Sequence, residues 1–270
     1  IAMPQHEHWG RVYEGFTEDR DLTTAAVIAS VRGHQGSNLA NRNTIAATAK
    51  HFIGDGATEG GVEGGNAIMT DELMRERYLP PYAGAVDQGV AAIMVGFNSY
   101  NGLNMHQHRH LVTDVLKNEL GFQGVVLTDW NGGLRFGEPH KVINAGIDMA
   151  MQPGNHEEFM SKLKLSIIDQ TVPMSRIDDA VQRILAMKFS LGLFSDPFAK
   201  RELSLSVGSK AHRAVARQAV RESLVLLKND NQALPLDPFE PIAVVGTHAN
   251  NSGLQSGGWS IHWQGQTHSY

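Results

Sequence analysis

The sequence predicts an α/β fold built on a parallel sheet, and three observations predict it. Short apolar runs alternate with longer amphipathic stretches, the order in which strand–helix–strand units follow one another. Two of those runs, residues 90–95 and 124–128, are apolar almost without a break, as in strands covered on both faces. Glycine accounts for 28 of the 270 residues, above the usual level of about 7%, and supplies the tight turns that many short elements need.

Residues 1–3 read as the end of a strand. A helix follows at 21–33, with Leu22, Ala25, Val27, Ile28 and Val31 roughly on one face and Gly33 as its stop. Residues 45–53 form a strand that runs into the glycine-rich loop 54–65. A second helix starts at Thr70 and is interrupted by Pro80 and Pro81. Next come the strand 90–95, a helix at 111–120 stopped by Gly121, and the strand 124–128 ending at Asp129. A short helix at 141–145 and a further strand at 148–151 precede two long helices, 155–169 and 174–191. The second carries the apolar stripe Ile177, Ala180, Val181, Ile184, Leu185 and Phe189. Residues 191–207 hold Gly, Pro and Ser without a period, and 194–207 read as a linker. A helix at 210–227 and a strand at 242–245 then open a second α/β unit within 208–270. Residues 1–193 hold four or five β/α units. A closed eight-fold barrel needs about 250 residues, so this chain is too short for a complete barrel plus a second domain.

Composition narrows the function classes. Hydrophobic residues are 41% of the chain and charged residues 19%, which permits a core and excludes wholesale disorder. The 28 acidic against 23 basic residues leave a net charge of −5, the wrong sign for a nucleic-acid or anionic-membrane partner. With no cysteine, neither a thiol nucleophile nor a zinc–thiolate site is available. No apolar run reaches the 18 or so residues of a spanning helix. The chain opens at Ile1 without the basic and apolar regions of a targeting signal, so any such signal is expected to have been removed or never present.

Three segments offer chemistry. At Thr128-Asp129-Trp130, a carboxylate at a strand end is followed by an indole. In parallel β/α folds the functional groups sit at the C-terminal strand ends. There a carboxylate can attack an oxocarbenium-like centre while the indole stacks on a pyranose. Asp129 could equally cap the next helix. At a second strand end, Lys50 and His51 could grip sugar hydroxyls and keep a carboxylate ionised. Neighbours on a strand face opposite ways, so both reach one pocket only where the strand ends or bends. The alternative is a surface lysine beside a buried histidine. The third segment, Trp9-Gly10-Arg11, offers a forked, permanently charged donor, or simply packed aromatics.

A different mechanistic class rests on histidine. His6 and His8, or the stretch His106-Gln107-His108-Arg109-His110, could ligate a metal of a barrel hydrolase, or could simply make polar loops. No His-Glu-x-x-His helix is present. The loop at 54–65 has the pattern of neither a phosphate-binding loop nor a dinucleotide fingerprint.

Taken together, these segments resemble glycoside hydrolase family 3, the β-glucosidases and exo-β-glucanases that release glucose from non-reducing ends. The matching stretches are Trp9-Gly10-Arg11 with Tyr13-Glu14 and Glu18-Asp19, Lys50-His51-Phe52-Ile53-Gly54-Asp55-Gly56, Asn101-Gly102, 111–117, and 121–124 running into Thr128-Asp129-Trp130. Residues 174–180 and 223–229 continue the match in order, and the stretch 257–265 is most similar to the plant-type exo-glucanase branch. The resemblance implies a partial (β/α)8 barrel of the TIM type over 1–193 and the beginning of a second α/β sandwich domain over 208–270.

It also implies a retaining, exo-acting β-glucosidase that needs no cofactor and no metal, with Asp129 as nucleophile. Arg11, Lys50 and His51 would hold the hydroxyls of the terminal glucose, and Trp130 and Trp263 would be the two walls around the next sugar. Its partners would be β-linked glucosides and oligosaccharides, and a periplasmic or secreted location is favoured. The N-acetylhexosaminidase branch carries an Asp-x-His loop after its Lys-His strand. Residues 58–64 lack a histidine, so a glucosidase is preferred. Two departures stand out: Phe97 replaces a tyrosine that can bond the nucleophile, and His6 and His8 replace the acidic and arginine residues usual before Trp-Gly-Arg. By the same resemblance the acid/base glutamate lies past Tyr270 and the first barrel strands lie before Ile1. The 270 residues alone are then expected to show little glycosidase activity, with a further chain or missing parts of the same polypeptide covering the open sheet edges. A non-catalytic carbohydrate-binding fragment is the remaining alternative.

Overall fold

The structure, a computed structural model, describes residues 1–260 and 262–268. Ile261, inside the stretch read above as a sugar wall, lies outside them. The chain divides into two units, Ile1–Arg201 and Glu202–Tyr270.

The first unit opens with helix α1 (Arg20–Gln35) and strands β1 (Thr48–Phe52) and β2 (Asn66–Ala67). Helices α2 (Asp71–Leu73) and α3 (Leu79–Asp87) lead to β3 (Ala92–Val95), β4 (Ser99–Tyr100), β5 (Leu103–Asn104) and β6 (Val125–Leu127). Helices α4 (Gly132–Arg135), α5 (Pro139–Asn144), α6 (His156–Ile168) and α7 (Met174–Ser190) complete it. Strands β1, β3 and β6 lie side by side and parallel, with Thr48 opposite Ala92 and Ala92 opposite Val125. A parallel bridge from Leu127 to Met149 extends the sheet by one contact where residues 148–151 read as a strand. The parallel α/β arrangement follows from the sequence pattern. Phe52, Ile93, Val95, Val125 and Val126 are wholly buried, and α3 packs on β1 and α7 on β6.

Helix α1 begins where Asp19 accepts the Leu22 backbone N–H (2.8 Å) and ends at Gly36, which takes a positive φ. Its buried face is Thr23, Val27, Val31 and Gln35 rather than the stripe expected to include Leu22, which is exposed. The buried Gln35 amide explains the shift. Its oxygen accepts from Ala47 (3.1 Å) and Ala91 (2.9 Å) and its nitrogen donates to Gly89 (2.9 Å), joining the helix to the starts of β1 and β3. Pro80 and Pro81 do not break a helix. They sit in the first turn of α3, where a missing N–H costs nothing, and the wider turn Met74–Tyr78 joins them to α2. The helix between β5 and β6, His110–Glu119, is likewise wound with wide turns, and Leu111, Val112, Val115 and Leu116 on it are fully buried. Each such side chain contributes about 1.5–3 kcal/mol. Residues 1–3 form no ladder, although Ile1 donates to the Lys50 carbonyl and Met3 is buried.

An ion network fastens α7 to the far end of β6. The Asp148 carboxylate, with no exposed side-chain surface, accepts from Lys117 (2.7 Å), from Arg176 and from the Val126 backbone (2.9 Å). Asp179 accepts from Arg176, Arg183 (2.8 Å) and Lys117 (3.2 Å). Arg183 also donates to the carbonyls of Phe122 (2.7 Å) and Gly124 (3.1 Å).

The second unit contains α8 (Lys210–Ser223), capped by the Ser209 hydroxyl, and the short α9 (Ser252–Ser256), capped by Asn251. The strand expected at 242–245 is not formed. Among the described residues the run has no ladder partner, and Ile242, Val244 and Val245 are exposed. Among the described residues, no helix is long and apolar enough to cross a membrane.

Candidate active site

Strand β1 delivers Lys50 and His51 from adjacent positions. The β1–β3 register slips between Ala49 and Phe52, which breaks the alternation that would send them to opposite faces. The strand end is held where Gly96 donates its N–H to the Phe52 carbonyl (2.8 Å) and the buried Asn98 side chain donates to the Ile53 carbonyl (3.0 Å). The Lys50–His51 and Phe52–Ile53 peptide bonds are cis. His51 is buried, with Nδ1 2.7 Å from Asp55 Oδ2, Nε2 3.0 Å from Arg11 Nη2, and Nε2 3.4 Å from Asp129 Oδ2.

Arg11, on the turn after the buried Trp9, is clamped by carboxylates. Its Nε and Nη2 donate to Glu14 (2.6 and 2.9 Å) and its Nη1 donates to Glu63 (2.8 Å). Glu63 accepts from Trp9 Nε1 (2.8 Å) as well, and Glu14 lies 3.4 Å from Lys50 Nζ. Burial works against the charge on Arg11, but the bonds from Glu14 and Glu63 outweigh it and raise its pKa above the ordinary arginine value.

Asp129 stands just past the C-terminal end of β6. Its Oδ1 accepts the Trp130 N–H (2.6 Å), and its own backbone N–H donates to His106 Nε2 (3.1 Å). It does not cap α4, whose N-cap position is Asn131. The Trp130 indole is 57% exposed, open to a ligand face.

Arg11, Lys50, His51 and Asp129 are thus brought into one cluster, with Trp130 at its rim. Trp263 belongs to the second unit, where its ring lies 6.0 Å from that of Trp259. His6 and His8 are not arranged as metal ligands: their rings lie 4.8 Å apart, and His6 Nδ1 accepts the His8 N–H (3.2 Å). Among the described residues no three His, Asp or Glu side chains converge to hold a metal ion.

Several members of the cluster were given no role from the sequence. Asp55 and Glu14 lie four and three residues from His51 and Arg11, a local spacing that carries little signal outside a helix. Glu63 meets Arg11 across a separation of 52 residues and leaves no local trace. His106 was visible only as one of a histidine-rich run.

The sequence matches the glycosyl hydrolase family 3 N-terminal domain over residues 1–187 and the C-terminal domain of the same family over 224–270. It is 35% identical to a periplasmic beta-glucosidase of Salmonella typhimurium, over 96% of this chain and 36% of that protein. A lysosomal beta glucosidase of Dictyostelium discoideum is 34% identical over 95% of this chain and 34% of that protein. Among solved structures, an exo-1,3/1,4-beta-glucanase of Pseudoalteromonas sp. superposes with a TM-score of 0.92 at 40% identity, covering 98% of this chain and 35% of that one. A beta-glucosidase of Listeria innocua in complex with isofagomine gives 0.79 at 31% identity, covering 87% of this chain and 35% of that one. The chain therefore spans about a third of the length of the curated relatives it matches. Sequence and fold together make the chain a member of glycosyl hydrolase family 3.

Proposed function

We propose that this chain carries the nucleophile and the glucose-binding side of a retaining, exo-acting β-glucosidase. The observation that carries the reading is Asp129, held at the C-terminal end of a parallel strand with its Oδ2 3.4 Å from His51 Nε2 and the Arg11, Lys50 and His51 side chains alongside. In this reading β1, β3, β6 and the segment bridged at Met149 are neighbouring strands of a (β/α)8 barrel, and a second α/β domain starts after a linker at 194–207.

The reaction has two steps. Asp129 Oδ attacks the anomeric carbon as the C1–O bond to the aglycone breaks, and a second carboxyl group gives its proton to the departing oxygen. Water then attacks C1, the same carboxyl taking a proton from it, and the Asp129 ester is released. The family resemblance assigns that second group to a glutamate beyond Tyr270. Arg11, Lys50 and His51 orient the sugar hydroxyls, with Arg11 held in place by Glu14 and Glu63, and Trp130 stacks on the sugar face.

A 2-fluoro glucoside with an activated leaving group tests the assignment, because it arrests a retaining enzyme as its covalent ester. The label is expected on Asp129. A label on another residue, or inversion at the released anomeric centre, overturns it. Activity abolished by a chelator and restored by a divalent metal would support the metal-hydrolase alternative instead. Sugar binding that survives Asp129→Asn, with no turnover in either form, would point to a carbohydrate-binding fragment.

A further inference from the structure

The three imidazoles of the run His106-Gln107-His108-Arg109-His110 do three different things. His108 packs edge-on against the Tyr100 ring, 5.5 Å between centroids. His110 faces the surface carboxylates of Asp114 (3.5 Å) and Asp71 (4.0 Å). His106 is completely buried behind Asp129 and accepts its backbone N–H on Nε2 at 3.1 Å.

Nε2 of His106 makes that bond, while its buried Nδ1 has no hydrogen-bond partner among the described residues. Its ring is stacked with Phe136 (4.6 Å, 27°) and with Phe97 (6.0 Å, 21°), so it has little freedom to turn. Gly132 closes the turn after Asp129 directly over the imidazole. A Cβ there would stand 2.4 Å from His106 Nε2 and 2.8 Å from Thr128 Cβ, so the close approach requires glycine. An accepting Nε2 requires the neutral ring with its proton on Nδ1. Burial, helped by the nearby Arg135 charge, pushes the His106 pKa down to about 3, so the ring stays an acceptor.

The carboxylate of Asp129 is otherwise weakly tethered. Its Oδ1 bond goes to the next residue and turns with the same backbone, and the 3.4 Å separation from His51 is long for a hydrogen bond. We propose that His106 is a positioning residue for Asp129. By fixing the Asp129 amide it sets where the carboxylate stands relative to the anomeric carbon, and it exchanges no proton in the reaction. This rests on Asp129 being the nucleophile, and a misplacement of about 1 Å at a reacting group can cost roughly 10²-fold in rate.

The test is the rate at which the 2-fluoro glucoside labels the full-length protein. Wild type establishes the underlying reading: without a label on Asp129, the nucleophile assignment fails first. Given that label, His106→Phe keeps the ring stack but removes the acceptor, and is expected to lower the maximal labelling rate at least tenfold with half-saturation within twofold. His106→Gln, whose Oε1 can reach the position of Nε2, is expected to label within threefold of wild type. Labelling by His106→Phe within threefold of wild type, or equal losses in both variants, overturns the inference. If His106→Phe does not fold, His106→Gln decides alone: a rate within threefold supports the inference and a larger loss overturns it.

Discussion

His51 sits between two carboxylates and a guanidinium, and one arrangement of its proton serves both Asp55 and the guanidinium while giving Asp129 no hydrogen bond. Arg11 can only donate, so His51 Nε2 must accept from it at 3.0 Å. The ring proton is then on Nδ1, where Asp55 accepts it at 2.7 Å. Asp55→Asn offers an amide in place of that acceptor and allows the opposite tautomer, which would set N–H against N–H at Arg11. Loss of kcat/KM by roughly 10–100-fold is expected, the scale for a carboxylate that orients a functional histidine. Unchanged steady-state kinetics would remove Asp55 from that role. His106 gives a second residue-scale prediction, in stability. Its folded pKa of about 3 lies below the ordinary value of 6.5. The unfolded chain therefore takes up a proton between those values that the native state refuses, and stability falls as pH drops from 6.5 toward 3. The slope from this one group is at most about 1.4 kcal/mol per pH unit. Urea titrations should show the difference between wild type and His106→Gln shrinking over that window, and a difference independent of pH would contradict the buried neutral ring.

At the scale of elements, the junction of α7 with β6 depends on Asp148. Asp148→Asn removes the charge that answers Lys117 and Arg176, leaving two buried cations short of a partner. About 3–5 kcal/mol of stability should be lost, as when one member of a buried ion pair is removed. Asp179→Asn should cost less, because the Asp179 side chain is 40% exposed and solvent screens the loss. Equal urea midpoints for the two variants would contradict this ranking. None of the network was apparent from the sequence, where the helix showed its apolar stripe, Arg176 and Asp179 stood only within the matched stretch 174–180, and Arg183 was given no role. What was legible followed from local patterning: the glycine stop at Gly121 and the apolar runs that became β3 and β6, whereas α1 stops at Gly36 rather than at the expected Gly33. What was not legible depended on distant partners. Gln35 turns the buried face of α1 by bonding two strands far along the chain, and residues 242–245 have strand composition without a strand beside them.

At the scale of the whole molecule, the sequence singled out Arg11, Lys50, His51 and Asp129 from three separate segments, and the fold brings them within hydrogen-bonding or ion-pair distance of one another or of a shared Glu14. Glu14, Glu63, Asp55 and His106 complete that cluster through contacts that only folding creates. The second unit enters the account through Trp263. By the family resemblance, Trp263→Ala is expected to raise KM for oligosaccharides more than for aryl glucosides, which end before the second sugar. Equal effects on both substrates would take Trp263 out of the site. The central claim is that Asp129 attacks the anomeric carbon, and chemical rescue examines it most directly. In Asp129→Gly, azide can enter the space left by the carboxylate and attack C1 of an activated aryl β-glucoside as the aryloxide leaves. Turnover is expected to rise with azide concentration and to yield the α-glucosyl azide; β-glucosyl azide as product, or wild-type turnover by Asp129→Gly without azide, would contradict nucleophilic attack by Asp129.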